Sequence, residues 1–115
     1  MNAQTNTQKR IDLAFDQSLI HDIRDGSKTA TIRYDLEPLR NFFIITNQDQ
    51  IQKGAAKLEC RFECQLRNAT KLIDYHGADY PNIDNTSLVK QMNKFYQTKI
   101  TPSTPVEVII FEAVL

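Results

Sequence analysis

Across residues 57–67 the chain alternates without a break: Leu58, Cys60, Phe62, Cys64 and Leu66 on one side, Lys57, Glu59, Arg61, Glu63, Gln65 and Arg67 on the other. A period of two places these sets on opposite faces of a strand, one on a core and the other in water. Flanking segments supply the other elements. Residues 11–15 alternate as a first strand, and residues 29–33 are β-prone and begin a second. Residues 36–41, with Pro38, form a connection to Phe42, Phe43, Ile44, Ile45 and Thr46, expected as a strand buried on both faces. A turn over 47–50 and a break at Lys53-Gly54 precede the alternating strand, which residues 69–73 are expected to continue after a bend near Asn68.

Two helices complete the pattern. Asp16 can cap a helix over 17–25 whose stripe is Leu19, Ile20 and Ile23, with Gly26 as the left-handed stop. A polar loop over 77–85 leads to the second, capped by Asp84, Asn85 or Thr86, with Leu88, Met92, Phe95 and Tyr96 on one face. Pro102 and Pro105 then break the chain before a terminal β-rich segment, 106–115. The order β-α-β-β-β-α-β predicts an α+β domain with a mainly antiparallel, barrel-like sheet and two flanking helices.

At 115 residues the chain is one domain, 11–115, behind an expected flexible tail, 1–10. Fourteen basic and fourteen acidic side chains cancel to a formal net charge of zero, so any nucleic-acid partner must be held by a local site rather than by a basic surface. No apolar run approaches the roughly 20 residues of a membrane span, and the first residues lack the pattern of a signal peptide, so a cytoplasmic location without membrane contact is expected. Cys60 and Cys64 share one strand face about 13 Å apart, too far to bridge. They are expected as reduced core thiols, with no zinc-motif spacing to His21 or His76.

The chemistry-bearing stretch is Gly26-Ser27-Lys28-Thr29-Ala30-Thr31-Ile32-Arg33. A glycine that ends a helix, followed by lysine, threonine and arginine, gathers an amine, a hydroxyl and a guanidinium where the chain enters a strand. That is an anion or nucleotide site in outline. On a regular strand Thr29, Thr31 and Arg33 share a face and Ala30 and Ile32 share the other. Lys28 joins the first set only if the chain turns after Gly26. A Thr31 nucleophile needs a base within reach, and Lys28 serves as one only as the neutral amine, which burial and a nearby Arg33 would both favour.

The spacing Gly-x-Lys-x-x-Thr-x-Arg, with Leu19, Ile20 and Ile23 upstream and a closing Val-x-Val-Ile-x-Phe strand, resembles the ASCH domain family, a PUA-like fold associated with RNA and modified nucleosides. Some small bacterial members are N(4)-acetylcytidine amidohydrolases. The resemblance implies Thr31 as nucleophile and Lys28 as its base on a modified pyrimidine nucleoside, and Arg33, Thr29, Tyr80 and Tyr75 are expected against that substrate. It implies no metal and no cofactor. The family's third catalytic residue is a glutamate before the second helix. Residues 77–85 hold none, and Asp79, one methylene shorter, is the nearest substitute, with Asp74 and Asp84 as neighbours. The alternative is a non-enzymatic RNA-binding module in which Lys28 and Arg33 hold phosphate while Tyr75 or Tyr80 stacks on an unpaired base.

Overall fold

The computed structural model describes residues 9–69, 71 and 85–114, with backbone alone at 85–87. Strand β1 is Arg10–Ala14. A 3₁₀ turn, Gln17–Leu19, runs into helix α1, Ile20–Asp25. Strands β2, Ala30–Arg33, β3, Leu39–Thr46, and β4, Gln52–Gln65, follow. Helix α2, Asn85–Tyr96, and strand β5, Pro105–Ala113, complete the chain. The strands form one 5-stranded sheet in the order β1-β3-β4-β5-β2. The β1–β3 pair is parallel and the other pairs are antiparallel. The expected α+β, mainly antiparallel architecture is therefore present, as a curled PUA-like half-barrel.

Capping at α1 follows the sequence. The Asp16 carboxylate accepts from the Ser18 amide at 3.0 Å, and contact with the Ser18 hydroxyl and then the amide holds its carboxyl below the ordinary range. Gly26 ends the helix at φ 87° and returns its N–H to the Ile23 carbonyl at 3.3 Å.

Two hydrophobic clusters separate the faces of the sheet. One gathers Leu13, Phe15, Ile20, Ile23, Leu39, Phe43, Ile45, Ala56, Ile109 and Phe111. The other gathers Ala30, Ile32, Leu66, Ala69, Leu88, Met92, Ile100, Val106 and Val108. Because β5 is an interior strand, between β4 and β2, Val106 and Val108 serve one cluster while Ile109 and Phe111 serve the other, which explains the unbroken apolar run 108–111.

Strand β4 corrects the single-face expectation. The register shifts between Leu58, opposite Phe111, and Cys60, opposite Ile110, leaving Glu59 as the extra residue of a bulge. Leu58 therefore packs with the first cluster, while Phe62 and Cys64 pack with the second. Cys60 and Cys64 do share a face, opposite Ile110 and Val106, and both are free. Neither is a fully buried thiol: Cys60 is exposed and Cys64 half-buried.

Four other expectations change. Strand β4 begins at Gln52, so Lys53-Gly54 lies inside it, with Gly54 opposite Ile45. The turn closes earlier because the Asn47 carboxamide oxygen accepts from the Asp49 and Ile51 amides. Phe42 is 63% exposed, so burial on both faces of β3 is confined to its second half, where Ile44 is half-buried and Thr46 buried. Residues 66–69 are helical, not strand, which brings Leu66 and Ala69 onto one buried face. Phe95 is 75% exposed, and Val89 takes the place expected for it against the sheet. Among the described residues no helix is long and apolar enough to cross a membrane.

Two outcomes test this packing. Nothing lies within 4 Å of a Cβ built on Gly26, so Gly26→Ala should cost only the left-handed backbone strain, about 1–2 kcal/mol, read as a lower denaturant midpoint. Burial and then the charge of Glu63 push the Cys64 thiol up. Its thiolate fraction falls accordingly, and iodoacetamide at mildly alkaline pH should alkylate exposed Cys60 well before Cys64, as followed by peptide mass spectrometry.

Candidate functional site

The turn after α1 aims the lysine. Beyond Gly26, the Ser27 hydroxyl and amide both donate to the Asp25 carboxylate, at 2.6 and 2.9 Å, and hold its carboxyl below the ordinary range. The Lys28 amide then donates to the Asp22 carbonyl at 2.9 Å, so the chain doubles back against the helix it has just left. Pairing with β5 begins at once, with the Phe111 amide on the Thr29 carbonyl at 2.9 Å and Thr31 opposite Ile109.

Strand alternation does the rest. Ala30 and Ile32 enter the cluster beneath α2, while Thr31 and Arg33 turn to the opposite face. The doubling back brings Lys28 to that face as well. Its Nζ lies 5.5 Å from the centroid of the Phe15 ring, and the Arg33 guanidinium carbon lies 4.8 Å from the same centroid.

Both cations are held by hydrogen bonds. Lys28, only 3% exposed, donates from Nζ to the Ala30 carbonyl at 2.6 Å. Arg33 donates from Nε to the Thr31 hydroxyl oxygen at 3.1 Å and from Nη2 to the Ala14 carbonyl at 2.7 Å. Thr31 is completely buried. A hydroxyl that accepts from a guanidinium is eased toward the alkoxide, because charge appearing on its oxygen meets a fixed donor. The arrangement thus combines a hydroxyl, an amine and a guanidinium in a low-dielectric setting.

Lys28, Thr31 and Arg33, singled out in the sequence, are brought together, with Thr29 half-buried beside them. Asp79, Tyr75 and Tyr80, like Asp74, His76 and Asp84, lie outside the described residues. Phe15 and the Ala14 carbonyl escaped the sequence reading. Phe15 registers there only as the last apolar position of a strand, and its one further signal is its place directly before the capping Asp16. A surface hollow lined by Gln17, Ile20, His21, Arg24 and Asp25 lies on α1, and neither cation lines it. His21 there forms an exposed pair with Asp25 at 3.4 Å, an ordinary i,i+4 helix contact.

No family model and no curated protein matches the sequence. Solved structures do match in shape. An ASCH domain from Lactobacillus crispatus superposes with a TM-score of 0.65 at 12% identity, over 99% of this chain and 86% of that one. The chain has the ASCH fold. The ASCH protein of Zymomonas mobilis, as its S128A mutant, gives 0.60 at 12% identity, over 94% of this chain and 72% of its own. A protein from Enterococcus faecalis gives 0.65 at 14% identity, over 93% and 81%. At such identities the shared property is the ASCH fold itself, and the residues of this chain must carry any reading of its chemistry.

Arg33→Lys tests the geometry directly. An ammonium has no planar fork with which to span both the Thr31 hydroxyl and the Ala14 carbonyl, so the variant should lose about 1–2 kcal/mol of stability in a denaturant titration. An unchanged midpoint would show that this contact carries no load.

Proposed function

We propose that this chain hydrolyses the N(4)-acyl group of N(4)-acetylcytidine or a related modified nucleoside. The observation that supports this most is the pairing of a fully buried Thr31 hydroxyl, already accepting from Arg33, with an almost fully buried Lys28 amine on the same aromatic ring. The Gly-x-Lys-x-x-Thr-x-Arg spacing and the ASCH fold agree with the reading.

In this mechanism the Thr31 oxygen attacks the acyl carbon while its proton passes to the neutral Lys28 amine. The carbon–nitrogen bond then breaks and the amino group of the base leaves with a proton. Asp79 assists that departure. Water attacks the resulting threonyl ester, releases acetate and restores the hydroxyl, so the net change is one amide hydrolysed by one water. Arg33 steadies negative charge on oxygen, and Thr29, Tyr75 and Tyr80 contact the nucleoside.

The test is acetate release from N(4)-acetylcytidine by the purified chain. Thr31→Ala should abolish turnover with the fold intact, and Thr31→Ser should keep part of it. Lys28→Arg should be inactive, because a guanidinium stays protonated at any working pH, and wild-type activity should rise with pH as the lysine loses its proton. Turnover by Thr31→Ala at the wild-type rate would overturn the covalent route. Tight RNA binding with a log–log salt slope steeper than about −2, that is, several phosphate contacts at roughly −0.7 each, and no acetate release would replace the hydrolase with an RNA-binding module.

A further inference from the structure

The aromatic ring beneath the two cations has no part in the proposed reaction, yet the site is assembled on it. We propose that Phe15 is the positioning residue of this site: its ring is the shared floor on which the Lys28 amine and the Arg33 guanidinium are stacked, and it sets where both stand relative to the Thr31 hydroxyl. That these groups form a catalytic site rests on the hydrolase reading; their placement on the ring does not.

Two like charges gathered at one buried point repel and, on flexible stems, would swing apart. An aromatic face opposes this, because its negative quadrupole attracts each cation separately. Lys28 Nζ at 5.5 Å and Arg33 Cζ at 4.8 Å from the centroid both fall within the range of that attraction. Leucine in this position would remain apolar but would offer no such face.

A floor must also be immobile, and Phe15 is held on several sides. Phe15 is 3% exposed and its ring packs on Phe111 at 5.8 Å. Its amide donates to the Thr46 carbonyl at 2.9 Å, extending the β1–β3 pairing by one residue. Just beyond, the Gln17 amide donates to the Gln48 side chain at 2.8 Å and the Asn47 side chain donates back to Gln17 at 3.0 Å. Asn47 is itself 4% exposed and tied into its own turn. On the other side, the Ala14 carbonyl, directly before Phe15, receives Arg33. The ring therefore stands at the point where the end of β1 is clamped both to the β3–β4 turn and to β2.

The experiment measures Lys28 itself and needs no substrate. Competitive labelling with acetic anhydride across a pH series, read by peptide mass spectrometry, gives the midpoint at which the Lys28 amine becomes reactive. Among the described residues, Arg33 of β2 is the charged group that shares the ring with Lys28, and it is retained in every variant. Phe15→Leu removes the attraction for the ammonium and should move the midpoint down by about one unit. Phe15→Tyr keeps the ring face and should restore the wild-type midpoint. Phe43→Leu makes a comparable lesion in the same cluster away from the cations and should leave the midpoint in place. If Phe15→Leu does not fold, Phe15→Met carries the same expectation. A midpoint unmoved without the aromatic ring, or moved as far by Phe43→Leu, would overturn the proposal. Failure of the wild-type chain to release acetate would bear on the hydrolase reading alone.

Discussion

Arg33 spans the two edges of the sheet. Strands β1 and β2 stand at opposite ends of the strand order and do not pair with each other, yet one guanidinium on β2 reaches the last carbonyl of β1. An unpaired sheet edge leaves backbone donors and acceptors to be satisfied by something else. Here a side chain with a rigid fork of donors does part of that work, and its other arm fixes the Thr31 hydroxyl. The closure of the half-barrel and the orientation of the candidate nucleophile therefore depend on the same residue.

Lys28 raises the complementary question of how a cation is kept from water. Transfer of an ammonium into an apolar interior is prohibitive unless polar or π groups replace its hydration. The Ala30 carbonyl and the Phe15 ring are two such groups. The contrast with Arg61 is instructive. That arginine lies across the sheet from Thr31, through Ile109, and forms a two-armed pair with Glu107 at 2.8 and 2.6 Å. It also donates to the carbonyls of Leu36 and Glu37, tying the 36–38 connection to the sheet. A half-exposed arginine that spans two strands and a connection is a staple. A buried lysine against an aromatic ring, beside a buried hydroxyl, is the arrangement expected of a reactive site.

Much of this was legible because local rules governed it. Asp16 as a cap, Gly26 as a stop and the opposite faces of Ala30 and Thr31 follow from helix-end chemistry and a period of two. The failures have a common origin in partners distant along the chain. The bulge at Glu59 is invisible in a perfectly alternating segment, because it belongs to the pairing of β4 with β5 rather than to β4 alone. Phe95 has the right helical spacing for a core position, but the cluster below α2 is met by Leu88, Met92 and Tyr96, as the spacing predicts, and by Val89 in place of Phe95. Tyr96 is held there by Tyr34, whose amide donates to its hydroxyl at 3.2 Å.

By itself the sequence determined that Gly26 stops the helix just before Lys28 and that Thr31 and Arg33 share a face at the start of one strand, since a left-handed glycine and an alternating strand act over a few bonds, whereas the turn that brings Lys28 to that face is a finding of the structure. It also determined the α+β class, through the order of its apolar patterns. Only the tertiary structure decided what those side chains meet. Phe15 lies beneath the two cations because β1 pairs in parallel with β3, and Arg33 reaches Ala14 because the sheet curls until its edges approach. Both are consequences of strand packing over long separations, where the position of a ring or a carbonyl depends on every strand between and on no local pattern of residues.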